Sequence, residues 1–140
     1  MDILSNKIEF KYADLQSNVD DPMEDWQLLL RITARFSIEI GGEMFFDEPD
    51  FPVLEFAEQA KKWSSDGDSF AYHSMETDEN PMIAFDPVGE GEVSINALDS
   101  LFNIDIPLSS KTVQREIKRF ISRLGEDVKT KLGINVARII

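Results

Sequence analysis

The 140 residues carry 27 Asp/Glu against 14 Lys/Arg, a formal net charge of −13, and the pI is near 4.4. No cysteine is present, which excludes disulfides, thiolate metal centres and cysteine nucleophiles. The length is that of one domain, residues 1–140, and a 42% hydrophobic fraction with ten phenylalanines supplies the core that a disordered chain lacks.

The charge is unevenly spread. Residues 1–100 hold 23 Asp/Glu and six Lys/Arg, whereas residues 101–140 hold four and eight. An acidic body argues against nucleic acid or an anionic membrane as partner. It suits electrostatic steering towards a basic protein, and its plainer use is solubility. The start MDILSNKIEF lacks the basic and apolar regions of a signal peptide. No apolar run approaches the ~20 residues of a bilayer span. A soluble, cytoplasmic protein is expected.

In chain order, KIEFKYA places Ile8, Phe10 and Tyr12 on one side and Lys7, Glu9 and Lys11 on the other, which predicts a first strand. SNVDDPMED is rich in turn formers and reads as a loop. In DWQLLLRITARFSIEI, residues 25–40, every even position is apolar and seven of the eight odd positions are polar. That alternation predicts one long strand with Trp26 to Ile40 buried on its even side. It would reach about 50 Å if straight, so strong twist or a bulge is expected. Gly41-Gly42 supplies the positive φ of a tight hairpin, and EMFFDE returns as a third strand.

Pro52 suits a first helical turn. Val53, Phe56, Ala57, Ala60 and Trp63 follow at helical spacing, and SSDGD ends the helix. SFAYHSM, PMIAFDPV and GEVSINAL read as three short strands, with Pro81 and Pro87 at edges or ends. A final helix begins at Leu108-Ser109-Ser110 with a serine cap. Val113, Ile117, Phe120, Ile121, Leu124, Val128 and Leu132 form its apolar stripe. Gly125 invites a kink, and Gly133 is a stop. The predicted order is β-β-β-α-β-β-β-α: an α+β fold with one twisted, mostly antiparallel sheet of about six strands and two helices on one face.

FFDEPDFPVLEF, residues 45–56, gathers Asp47, Glu48, Asp50 and Glu55 among phenylalanines and prolines. The D-E-P-D spacing lacks the alternating ligands and glycine of a calcium loop. Asp50 has a simpler use as a helix cap, and Phe51 with Phe56 as a hydrophobic staple. A catalytic use of Glu48, Asp50 and Glu55 requires them to converge in a pocket. His73, the sole histidine, has no sequence partner for base catalysis. No phosphate loop, G-x-S-x-G or zinc spacing occurs. The cations Lys111, Arg115, Lys118, Arg119 and Arg123 read as the wet side of a core helix. No enzyme, metal or cofactor is expected.

Residues 26–63, W…LLLRITARFSIEIGGEMFFDEPDFPVLEFAEQAKKW, resemble a pattern of small acidic bacterial proteins. In these a strand, glycine turn, strand and E-x-x-FPV-x-EF helix occur together, and some are similar to immunity proteins of polymorphic or contact-dependent toxin systems. The resemblance implies neutralisation of a cognate toxin by direct binding, and it transfers no residue-level site. Independently, the crowding of acids in loops points to Glu48, Asp50, Asp66, Asp68, Glu76, Asp78 and Glu79 as the surface that meets a basic protein. An adaptor or structural protein is the other reading.

Overall fold

In the computed structural model, which describes residues 7–17, 24–63, 69–75, 82–102 and 107–140, the elements follow in the order β1 (Ile8–Ser17), α1 (Asp25–Arg31), β2 (Ile32–Ile40), β3 (Glu43–Phe51), α2 (Val53–Trp63), β4 (Phe70–Tyr72), β5 (Ile83–Gly89), β6 (Glu92–Ala97), β7 (Leu108–Ser109) and α3 (Ser110–Leu132). The fold is α+β and its strand pairings are antiparallel. The strands divide into two sheets, ordered β1-β2-β3 and β4-β5-β6-β7, where the sequence suggested one.

The long alternating segment breaks at Ile32. From Ile32 to Ile40 the expectation holds, with every even side chain buried. Residues 25–31 instead form α1, and Trp26 is 57% exposed rather than buried. The reason is local. DWQLLLR contains good helix formers and no β-branched residue, whereas the β-branched residues begin at Ile32 and Thr33. Asp25 in the first turn and Arg31 in the last suit the helix dipole. Gln27 Oε1 accepts from the Glu24 backbone N–H at 2.9 Å, satisfying a group at the helix start. Leu28 turns inward.

Gly41 and Gly42, at φ 61° and 83°, make the β2–β3 hairpin. Both neighbours of β2 carry irregularities. β1 gains a residue between Ala13 and Gln16, and β3 gains one between Glu48 and Phe51. Each contains a left-handed aspartate, Asp14 at φ 55° and Asp50 at φ 52°. A third irregularity lets the consecutive Phe45 and Phe46 both be buried, which a regular pleat forbids. Asp50 therefore lies within β3 and does not cap α2. That end belongs to Pro52, whose carbonyl accepts from Phe56 N–H at 3.2 Å.

Phe36 of β2 stands at the centre of the core. Its ring lies 5.0 Å from Phe56 of α2 and 5.6 Å from Phe120 of α3, centroid to centroid. Phe10 of β1 touches Phe85 of β5 at 6.2 Å, and Phe51 touches Tyr72 of β4 at 5.5 Å. The two sheets and both long helices thus share one aromatic cluster. The staple forms as expected, with Phe51 and Phe56 edge to face at 6.1 Å.

α3 begins at the cap Ser109, whose hydroxyl accepts from Thr112 N–H at 3.3 Å. It runs through Gly125 without a break and stops at left-handed Gly133. Pro87 lies near the end of β5, opposite Val93 of β6 and beyond the three residues that β4 pairs, a place near a strand end that proline tolerates. No helix among the described residues is long and apolar enough to cross a membrane.

Candidate binding groove

The irregularities at Asp14 and Asp50 flank the first residues of β2, where α1 enters. A groove of about 470 Å³ opens there, lined by Gln16, Trp26, Gln27, Leu30, Arg31, Thr33 and Asp50. Trp26 and Gln27 come from α1, Thr33 from the wet side of β2, and Asp50 from the bulge of β3. Aspartate is one of the few non-glycine residues that tolerates the left-handed conformation. The bulge therefore turns a carboxylate outward without needing a glycine.

Chemically the groove offers an indole, a guanidinium, a carboxylate and two side-chain amides. It has apolar area in Trp26 and Leu30 and hydrogen-bond donors and acceptors around them. Trp26 is the residue that sequence patterning misplaced. Its signal was available in the helix-forming composition of residues 25–31.

The wet side of β1-β2-β3 is tied by ion pairs. Arg35 makes a fork on Asp47, Nε to Oδ1 at 3.0 Å and Nη2 to Oδ2 at 2.7 Å. This hydrogen bond holds the Asp47 carboxyl below the ordinary carboxylate range. Lys11 reaches Glu39 at 3.0 Å and Glu9 at 3.8 Å. The hydrogen bond to Glu39 raises the Lys11 pKa. These pairs lock the polar side chains of the sheet to one another.

Of the carboxylates singled out in the sequence, Asp50 lines the groove and is exposed, and Glu48 is half-buried two residues away on β3. Asp66, Asp68, Glu76, Asp78 and Glu79 lie outside the described residues. Glu55 has a different place. It is 1% exposed, and it accepts from the Tyr72 hydroxyl at 2.6 Å and from Met75 N–H at 2.9 Å. One turn on, the Gln59 amide pairs with both backbone groups of His73, at 2.7 Å and 3.1 Å. Glu55 and Gln59 thus fasten the strand end at β4 to α2. The His73 side chain is exposed. Among the described residues no group of three or more His, Asp or Glu side chains is placed to hold a metal ion.

Residues 8–130 match the family model described as a domain of unknown function, DUF7878. No curated protein and no solved structure matches the chain.

Proposed function

We propose that this chain, which belongs to the DUF7878 family, works by binding another protein, and most specifically as an immunity protein that neutralises a cognate bacterial toxin in the cytoplasm. The observation that carries the reading is Trp26, 57% exposed beside Asp50 and Arg31 in an open groove. A large exposed indole costs solubility unless a partner covers it, and Trp and Arg are the side chains that most often dominate binding energy. The net charge of −13 supports a basic partner, because an acidic inhibitor meets a cationic cleft faster than a neutral one does.

The mechanism is occlusion. Trp26 anchors in an apolar pocket of the partner, Arg31 and Asp50 fix orientation through charge-assisted hydrogen bonds, and the acidic body speeds encounter. No bond is made or broken. The test is co-purification with the product of the adjacent gene, followed by titration of Trp26→Ala. The expected result is a stable complex whose affinity falls by about 2 kcal/mol or more in the variant. Folding stability should change little, because the side chain is largely exposed. Binding indifferent to Trp26→Ala removes the groove as the contact, and absence of a complex with a toxin domain removes the immunity reading.

A further inference from the structure

The most concentrated positive charge on this acidic protein is the stretch of α3 from Lys111 to Arg123. Lys111, Arg115, Lys118, Arg119 and Arg123 are all exposed there. One carboxylate, Glu116, is shared between Arg115 Nε at 3.2 Å and Arg119 Nη1 at 2.9 Å. Each guanidinium has five N–H donors, so both retain donors after that contact. Among the described residues Arg123 and Lys7 make no ion pair. Arg115, Arg119, Arg123 and Lys7 line a groove of about 550 Å³ between α3 and the start of β1, where they outnumber its two carboxylates, Glu9 and Glu116.

The same groove borders an open sheet edge. β1 pairs with β2 on one side only. Gly41 N–H donates to Lys7 C=O at 2.8 Å, so the backbone groups of Lys7 point towards β2. Alternation then turns the N–H and C=O of Ile8, Phe10 and Tyr12 the other way, towards the free edge. Among the described residues none of them has a backbone partner there. The other edges differ. Gln59 closes the chain just beyond β4 at His73, and Leu101 N–H donates to Phe45 C=O on β3 at 2.8 Å. β7 is only two residues long.

We propose that the edge of β1 and the cationic ridge of α3 together form a second binding site, which takes an acidic segment of another protein as an added antiparallel or parallel strand. Backbone pairing to Ile8, Phe10 and Tyr12 supplies the register. Alternate side chains of the added strand face α3, and carboxylates at those positions meet Arg115, Arg119 and Arg123. Lys7 on the edge repels a basic strand and accepts an acidic one. A long polyanion fits less well. Beyond the groove it meets a body whose acidity gives the whole chain its charge of −13, within a screening length of about 8–10 Å. A short acidic segment avoids that repulsion. This site attracts the opposite charge to the one proposed for the Trp26 groove, so the two do not compete.

The test uses the full chain and a dye-labelled synthetic peptide in which glutamate alternates with valine, followed by fluorescence anisotropy and amide hydrogen exchange. The expected result is saturable binding, with the amides of Ile8, Phe10 and Tyr12 protected from exchange. Affinity should fall about tenfold or more in the double variant Arg119→Gln, Arg123→Gln. It should be lost when every peptide amide is N-methylated, and unchanged in Trp26→Ala. Retained affinity of the N-methylated peptide overturns strand addition. A duplex oligonucleotide or anionic vesicle that displaces the peptide at equal charge concentration overturns the peptide assignment. So does a concentration-dependent dimer abolished by the same two arginine changes, which would make a second copy the occupant. No binding by the peptide overturns the site.

Discussion

The Tyr72 hydroxyl donates to Glu55 Oε1 at 2.6 Å inside the core, and the other carboxylate oxygen of Glu55 accepts from Met75 N–H. A carboxylate 1% exposed is held by two donors from one short stretch of chain. Its energetic role is asymmetric. Removing it takes an acceptor away from the buried Tyr72 phenol and from the part-buried Met75 amide, and the loss of a buried hydrogen bond of this kind costs about 1–3 kcal/mol. Glu55→Leu should lower unfolding stability by about 1–3 kcal/mol, and Tyr72→Phe by less, read from urea denaturation. If Glu55→Leu matches the wild type in midpoint, the pair is not structural, and Glu55 returns as a candidate for chemistry.

Tyr12 gives the fold a pH dependence. Burial, and then its hydrogen bond to Asp127 of α3, push the Tyr12 phenol above its ordinary value. A group whose folded pKa is raised contributes stability that is complete below the unfolded value of about 10 and is lost as pH rises beyond it. Asp47 has the opposite sign. Its carboxyl is held low by Arg35, so its contribution is present above the unfolded value of about 4 and fades as pH falls. Tyr12→Phe should flatten the alkaline limb of stability against pH and leave the acid limb unchanged; Asp47→Asn should do the reverse, by a smaller amount because the Arg35 side of the pair is open to solvent. An alkaline slope equal in Tyr12→Phe and wild type would falsify the first assignment.

Two aspartates test the backbone. Asp14 and Asp50 sit at positive φ in the two irregularities beside β2. Glycine meets no steric penalty there, whereas a β-branched residue carries about 1–2 kcal/mol. Asp14→Gly and Asp50→Gly should fold with unchanged or slightly raised stability, and Asp50→Val should lose about 1–2 kcal/mol. Asp50→Gly also separates the two uses of this residue, since it keeps the bulge and deletes the carboxylate from the groove. Equal stability of Asp50→Gly and Asp50→Val would show that the bulge does not depend on this torsion.

Most of the framework was legible because period and punctuation agreed. Ile32 to Ile40 alternates with β-branched residues present, Gly41-Gly42 permits one turn geometry, and Ser109 and Gly133 bound a helix with an unbroken apolar stripe. The failure at residues 25–31 has a physical cause. Trp26, Leu28 and Leu30 satisfy a period of two, but Leu28, Leu29 and Ile32 equally satisfy a helical face, and over seven residues the periods cannot be separated. Propensity decided it, and the groove lies at that junction. The division into two sheets left no mark in the pattern, because strand order is fixed by tertiary pairing. Glu55 read as one acid among several, since its place in the core depends on Tyr72, seventeen residues away.

The last prediction separates the two halves of the proposed partner recognition. Acidic residues dominate the first 100 positions, and several of them, Asp78 and Glu79 included, lie between β4 and β5 in sequence. If such charges steer a basic partner, they act before contact. Removing them slows association and leaves dissociation nearly unchanged. In the proposed complex Trp26 acts after contact, and its loss should speed dissociation. Stopped-flow binding to the adjacent gene product should show association falling as salt rises, across a span of about ten- to a thousandfold between low and high ionic strength. Asp78→Asn with Glu79→Gln should lower the low-salt association rate and reduce the salt slope. Trp26→Ala should leave that slope intact and raise the dissociation rate. An association rate indifferent to both salt and the double change assigns the acidity to solubility alone. It would leave Trp26, Arg31 and Asp50 to account for binding by themselves.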